Sequence, residues 1–371
     1  MREFLVRAAR GCALVAALLG APLAAQPAAA FDDAALARQA YYGIILPGYA
    51  RFDEASRAFT DKAGALCKAP SRAALDQTRA AAKDALLAWG RVEPLRFGPI
   101  TTNQRLDRLL FYPDPHGIVG KQTGKLLAKR DEADIEPAKL AGASVAVQGF
   151  GAVDVALYGT GSEAMATAAP EASFRCRYVH ALALDIAQIA SDTHAEWAGD
   201  YKRAWLEVGG DNKTYLTAKE TTQALYRAYV TEIEVLRLHR LAPLLGGEAK
   251  ASGPATPLLP HSGLGLPFII AGIEGERDIL GANGFLAEDL ASDDKERAAI
   301  AILGSVATDL GFAVRAGEAA EAMAPNAFTD AKARERLAPM LLSLKSADET
   351  GRAALGDLTG QTLGFNSLDG D

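Results

Sequence analysis

Along this chain apolar residues recur mostly at intervals of three and four, alanine is abundant and β-branched runs are scarce, a pattern that predicts helices and almost no strand. Asp32 or Asp33 can cap a helix from Ala34, on which Tyr41, Ile44 and Ile45 share one face. Pro47 is expected to interrupt or kink that helix before Phe52 and Phe59 continue its stripe. Ser71 follows Pro70 and can cap a helix over residues 72–92, with Leu75, Ala82, Leu86 and Trp89 turned inward. A further helix is predicted through residues 145–158, ending near Gly159-Thr160-Gly161. A long one over residues 175–206 would carry Val179, Leu182, Ile186, Ile189 and Trp197 as core positions.

Gly209-Gly210-Asp211-Asn212 is the clearest break, and the domain boundary is placed there. Beyond it, residues 217–241 carry Leu225, Tyr229, Ile233 and Leu236 at helical spacing. Residues 243–267 are rich in Gly and Pro and read as a long surface connection. Residues 268–280 are apolar over a length that suits a bundle helix. Asp293 with Glu296 forms a capping box for a helix over 296–323, and Thr329 can begin the last one, running toward Gly356. The expected architecture is all-α: two helical bundles packed side by side, residues 31–208 and 213–371.

Residues 1–30 read as an export signal. Arg2, Arg7 and Arg10 make a basic start, residues 12–19 an apolar run too short to span a bilayer comfortably, and Ala28-Ala29-Ala30 a cleavage site before Phe31. Cys12 lacks the surroundings of a lipoprotein anchor, so the expectation is a soluble exported protein of the periplasm or cell envelope, without a transmembrane anchor. The chain has 39 Lys and Arg against 46 Asp and Glu; less the three Arg and one Glu of the leader, 36 and 45 remain, a balance of −9. That argues against nucleic acid and against a polybasic grip on anionic lipid. In an oxidising compartment Cys67 and Cys176 are a disulfide candidate, with buried free thiols as the alternative.

Residues Gln148-Gly149-Phe150-Gly151-Ala152-Val153-Asp154 carry a variant of the pattern G-x-H-x-x-E, in which a His and a Glu three residues later share one helix face and can grip a single ion. Gly151 stands at the His position and Asp154 at the Glu position. Other segments belong with it: Ala88-Trp89, Arg91-Val92-Glu93-Pro94-Leu95-Arg96-Phe97-Gly98-Pro99-Ile100, Arg108-Leu109-Leu110-Phe111-Tyr112-Pro113-Asp114-Pro115, Cys176-Arg177-Tyr178 and the closing residues 363–371. Together, over essentially all of the mature chain, these resemble the imelysin-like (M75 peptidase) family of exported bacterial proteins. The resemblance implies an all-helical protein of two bundle-like halves, associated with iron regulation or uptake and, in some members, with metallopeptidase claims.

Carried over residue by residue, the motif falls short of a catalytic centre. Glycine offers no lone pair, so this helix supplies at most one ligand, Asp154, where zinc peptidase chemistry usually needs three protein ligands and a water. No catalytic residue is therefore assigned. The alternative for Asp154 is an Asp that meets a buried Arg or a backbone amide. Gly149 and Gly151 inside a helix would each cost about 1 kcal/mol relative to Ala, which suggests close approach by another backbone or a ligand, or simple tight helix packing. Glu93 and Arg96 could face the same cleft as Asp154, and Asn103, Arg105, Asp107 and Arg108 make the next loop rich in polar groups. A salt-bridge network explains that loop as well as ligand binding does.

His116, His180, His194, His239 and His261 show no H-E-x-x-H and no i, i+4 pair. No G-x-S-x-G elbow, P-loop or dinucleotide fingerprint is present, and Ser262-Gly263-Leu264-Gly265 and Gly272-Ile273-Glu274-Gly275 lack a strand-to-helix setting. Asn366, Asp369 and Asp371 fail calcium-loop spacing and read better as a docked tail.

The first functional expectation is a non-catalytic binding component linked to iron or other metal acquisition. Its cleft is bordered by Glu93, Arg96, Asn103, Arg105, Asp107, Gly149, Gly151 and Asp154. It would take iron or another divalent metal, haem or a metal chelate, beside an envelope receptor or transporter. The alternative is an M75-type metallopeptidase recruiting ligands outside the motif, such as Glu93, Asp154 and a His. A third reading is an interaction module whose interior is filled by apolar side chains.

Overall fold

A computed structural model describes residues 31–245, 257–287, 289–324 and 326–361, and among them there is no strand. The leader and the closing segment lie outside the described residues. Asp32 caps α1 (Asp33–Ala40) by accepting from the Ala35 amide at 2.8 Å. The chain does not break at Pro47. A π turn (Tyr41–Ile45) widens the backbone just before α2 (Leu46–Lys68), where the proline has no N–H to give. Ser71 caps α3 (Arg72–Val92), which buries Leu75, Ala82, Leu86 and Trp89 as its spacing predicts. The long helix α8 (Pro170–Ala198) packs along α2, and Cys67 and Cys176 form a disulfide between these two, with Cα atoms 5.6 Å apart.

Between α3 and α8 the chain is mostly short turns: a 3₁₀ turn (Gly98–Gln104), α4 (Arg105–Leu109), α5 (Ile118–Lys129), α6 (Pro137–Ala141) and α7 (Gly149–Val153) followed by a π turn (Asp154–Tyr158). The single helix expected over 145–158 is therefore broken. Gln148 is extended and Gly149 has φ +63°. A Cβ on Gly149 would stand 2.1 Å from the Arg108 carbonyl oxygen, so backbone-to-backbone contact, which only glycine permits here, overrides helix propensity. The expected helix over 175–206 also divides, at Gly199, into α8 and α9 (Asp200–Leu206).

Gly209 and Gly210 both take positive φ, in a turn tied by Asn212, whose side chain bonds the Ala204 and Glu207 carbonyls and the Thr214 and Tyr215 amides. A second group of helices follows: α10 (Ala218–Glu234), continued by a π turn (Val235–Leu241) into α11 (Ala242–Leu245), then α12 (Gly265–Leu280), α13 (Asp294–Glu321) and α14 (Ala331–Thr359). Asp293 and Asp330 cap the last two. α13 has the length and apolarity of a membrane span, yet it lies along α14 and α12 and buries Leu303, Val306, Leu310 and Val314 there.

The two groups meet where α3 packs on α12 and α1 on α10. Gly90 and Gly275 allow the close approach: a Cβ on either would collide with Phe268 or with the Arg91 carbonyl. The expected surface connection is only partly that. Leu258 and Leu259 are buried, and α12 starts at Gly265, tight against the Leu258 carbonyl.

Candidate functional site

The motif segment lies on this seam. Gly151 presents its bare Cα to a cleft, where an added Cβ would meet only the Val119 methyls, the nearer at 3.2 Å. Asp154 opens the π turn and is 3% exposed. Its Oδ2 accepts from the His261 amide at 3.1 Å and its Oδ1 from the Ser262 amide at 2.8 Å. Burial pushes its carboxyl above the usual carboxylate range, against the opposing pull of Ser262 and the His261 amide. The carboxylate thus clamps the segment after Pro257 onto the motif helix.

The cleft beside it holds about 240 Å³, with Phe111, Tyr112, Val119 and the 257–261 segment as walls. Its other carboxylate, Asp114, is likewise engaged, accepting from the Ile118 and Val119 amides at 2.7 and 2.9 Å at the start of α5. Both acids near the cleft are therefore satisfied by backbone, and the surfaces left to a ligand are mainly apolar.

Across Tyr112 lies a second arrangement, in which Glu93, Glu232 and Arg240 are withdrawn from water and Arg96 is half-buried. The Arg240 guanidinium grips Glu93 with two donors, at 2.6 and 2.9 Å, and Glu232 at 3.1 Å. Arg96 donates to Glu93 at 2.9 Å, and its Nε is 3.3 Å from Glu232. Arg240 also lies over the Phe268 ring, 5.0 Å from its centroid, and 6.0 Å from that of Tyr112. On α12, Glu276 is fully buried and neither of its oxygens has a hydrogen-bond partner among the described residues.

These acids titrate differently. Burial would raise Glu93, but Arg240 and Arg96 outweigh it and hold it below its ordinary value. Burial and then the Glu93 charge push Glu232 up to about 7, and burial with Glu232 drives Glu276 well above the usual range.

Glu93 and Arg96, expected at the cleft, are thus bound into this cluster, while Gly149, Gly151 and Asp154 form the cleft's motif side. Asn103 and Asp107 are exposed, and Arg105 is buried against the Pro99 carbonyl and Glu196 of α8; none of the three lines the cleft. Arg108 bridges Gln148 and Asp185. Glu232, Arg240 and Glu276 were not anticipated from the sequence. A signal existed: Glu276 falls at helical spacing among Ile269, Gly272, Ile273 and Ile279, a charge on an apolar face. Among the described residues no three His, Cys, Asp or Glu side chains converge as an ion's ligand set. One engaged aspartate does not fit a peptidase zinc site.

Comparison with known proteins agrees with this architecture. No curated protein matches. An imelysin-like protein from Psychrobacter arcticus superposes with a TM-score of 0.72 at 21% identity, over 91% of this chain and 100% of the other. A putative iron-regulated protein A precursor from Parabacteroides distasonis superposes with a TM-score of 0.65 at 14% identity, over 91% and 96%. The family model of the imelysin (M75) peptidases matches residues 45–350, and the chain belongs to that family.

Proposed function

We propose that this imelysin-family chain is an exported, non-catalytic binding component serving iron or related metal acquisition at the cell envelope. The observation that carries the reading is the state of Asp154: both oxygens accept backbone amides, and Gly151 beside it has no donor atom. Such a cleft has no free ligand set for a bare ion. A metal would enter already complexed, its organic ligands resting on Phe111, Tyr112, Val119 and Leu258. The iron association of the Parabacteroides distasonis relative supports this direction. The basic, apolar and small-residue succession in residues 1–30 supports export.

Of the ligands the rival metallopeptidase could recruit, Glu93 has its two oxygens already taken by Arg240 and Arg96. Calorimetry of the purified protein with ferrous salt, haem and ferric citrate tests the reading. Binding of haem or the citrate complex, with no stoichiometric uptake of free ion, is expected; no binding of any of the three overturns it. Chelator-sensitive peptide cleavage abolished by Asp154→Ala would establish the rival instead.

A further inference from the structure

On the far side of Arg96 from the Asp154 cleft, a larger cavity of about 470 Å³ opens between the start of α10 and the turn after α3. One stripe of α10 forms its floor: Glu220, Gln223, Ala224, Arg227, Ala228 and Thr231, at the three- and four-residue steps of a single helix face. The Arg227 guanidinium, the Gln223 amide and the Thr231 hydroxyl have no hydrogen bond or ion pair among the described residues. Thr231 is only 4% exposed and lines the cavity. The one acid of the stripe, Glu220, is occupied by the Leu216 amide at 2.7 Å.

The opposite wall is aromatic and held rigid. Phe97 stacks on Trp205 with centroids 5.1 Å apart, and Tyr215 meets the same indole edge-on at 5.3 Å. Trp205 is itself fixed by its Nε1–H, which donates to the Ala37 carbonyl at 2.9 Å. A cavity with spare donors on one side and two packed aromatic rings on the other suits a ligand with a negative end and a flat body.

We infer that this second cleft binds an organic anion with an aromatic body, its carboxylate held by Arg227 and Thr231 and its ring laid against Phe97 and Tyr215. The site shares no lining residue with the Asp154 cleft and does not depend on what that cleft takes. Nothing in the ionic cluster has to move, because Arg96 keeps its carboxylates and contributes only its positive field from the inner wall.

Titration calorimetry with naphthoate and with its neutral amide decides the matter. Saturable one-to-one binding of naphthoate is expected, with the amide weaker by roughly tenfold or more, the loss of one charge-assisted hydrogen bond. Arg227→Gln should weaken naphthoate by a similar factor and leave the amide unchanged. Arg227 is exposed on its helix, so this variant keeps the fold; Thr231→Val, a near-isosteric change, gives a second reading of the same contact. Absence of saturable naphthoate binding, equal affinity for the amide, or naphthoate affinity unchanged in both variants overturns the assignment.

Discussion

Asp154 and Glu276 are both carboxyl groups removed from water on the seam between the helix groups, yet their surroundings are opposite. Asp154 receives two backbone amides and pins residues 261 and 262 to the motif helix, whereas Glu276 has no hydrogen-bond partner for either oxygen among the described residues, and burial drives its carboxyl well above the usual range. The acid in the motif is therefore a tether. The acids outside the motif, Glu93, Glu232 and Glu276, carry the unresolved electrostatics: two arginines hold Glu93 and Glu232 together, and Glu276 stands apart from both.

The largest effect that separates the two regions is expected from Arg240→Leu. It removes the two-donor grip on Glu93 and the link to Glu232, leaving these two acids with Arg96 alone. Breaking a buried pair on one side typically costs about 3–5 kcal/mol, because the surviving charge is left without compensation. Urea unfolding measures this directly. A midpoint equal to that of the unaltered protein would mean the cluster contributes nothing to holding the helix groups.

Next in size is a pH effect centred on Glu232, which faces Glu93, Arg96, Arg240 and Glu276. Its folded pKa, about 7, exceeds the ordinary value of 4.5, so between these limits the folded chain binds the proton more tightly than the unfolded chain. Stability must then fall as pH rises across that window, by on the order of 2–3 kcal/mol. Glu276, raised by burial and by the Glu232 charge, shifts in the same direction. Denaturant midpoints from pH 4.5 to 8 should show the decline, and Glu232→Gln should flatten its lower half. A stability that climbs from pH 5 to 7 would contradict the cluster's ionisation as described.

Much of the scaffold was legible because it rests on local physics. The Ser71 cap and the Leu75, Ala82, Leu86, Trp89 stripe are set by neighbours within one helix, and so is the Asp293 cap. The imelysin resemblance was equally readable, from the motif and its flanking segments. What could not be read were the features decided by distant partners. Gly149 breaks its helix because the Arg108 carbonyl occupies the space of its Cβ, and no periodicity contains that contact. Arg105 and Asp107 share a loop with Arg108 in the sequence, but α8 draws Arg105 away and Asp107 stays in solvent. Arg240 and Glu93 are 147 residues apart, one in the π turn after α10 and the other at the end of α3, and no local pattern contains their pairing.

A smaller change, Asp154→Asn, tests the tether. The amide side chain keeps one acceptor for two backbone donors, so about 1–2 kcal/mol should be lost, less than for Arg240→Leu. Hydrogen exchange gives the sharper reading: the amides of His261 and Ser262 should lose protection while those of Glu276 and its helix do not. Uniform loss of protection through α12 would show that Asp154 supports the whole seam and that the two regions are one.

The smallest effect belongs to Gly151→Ala, and its size bears on what the cleft is. A methyl there would approach the two Val119 methyls at 3.2 and 3.7 Å and nothing else outside its own helix within 4 Å, so a few tenths of an ångström of adjustment suffices. Against that contact stands the gain in helix propensity, up to about 1 kcal/mol for Gly to Ala. Stability should therefore change by less than about 1 kcal/mol in either direction, while affinity for any ligand seated against Val119 and Phe111 should fall because the methyl enters its space. If Gly151→Ala instead unfolds the chain at markedly lower urea, the glycine is there for packing. The bare position beside Asp154 would then be part of the protein's interior and not a place kept open for a guest.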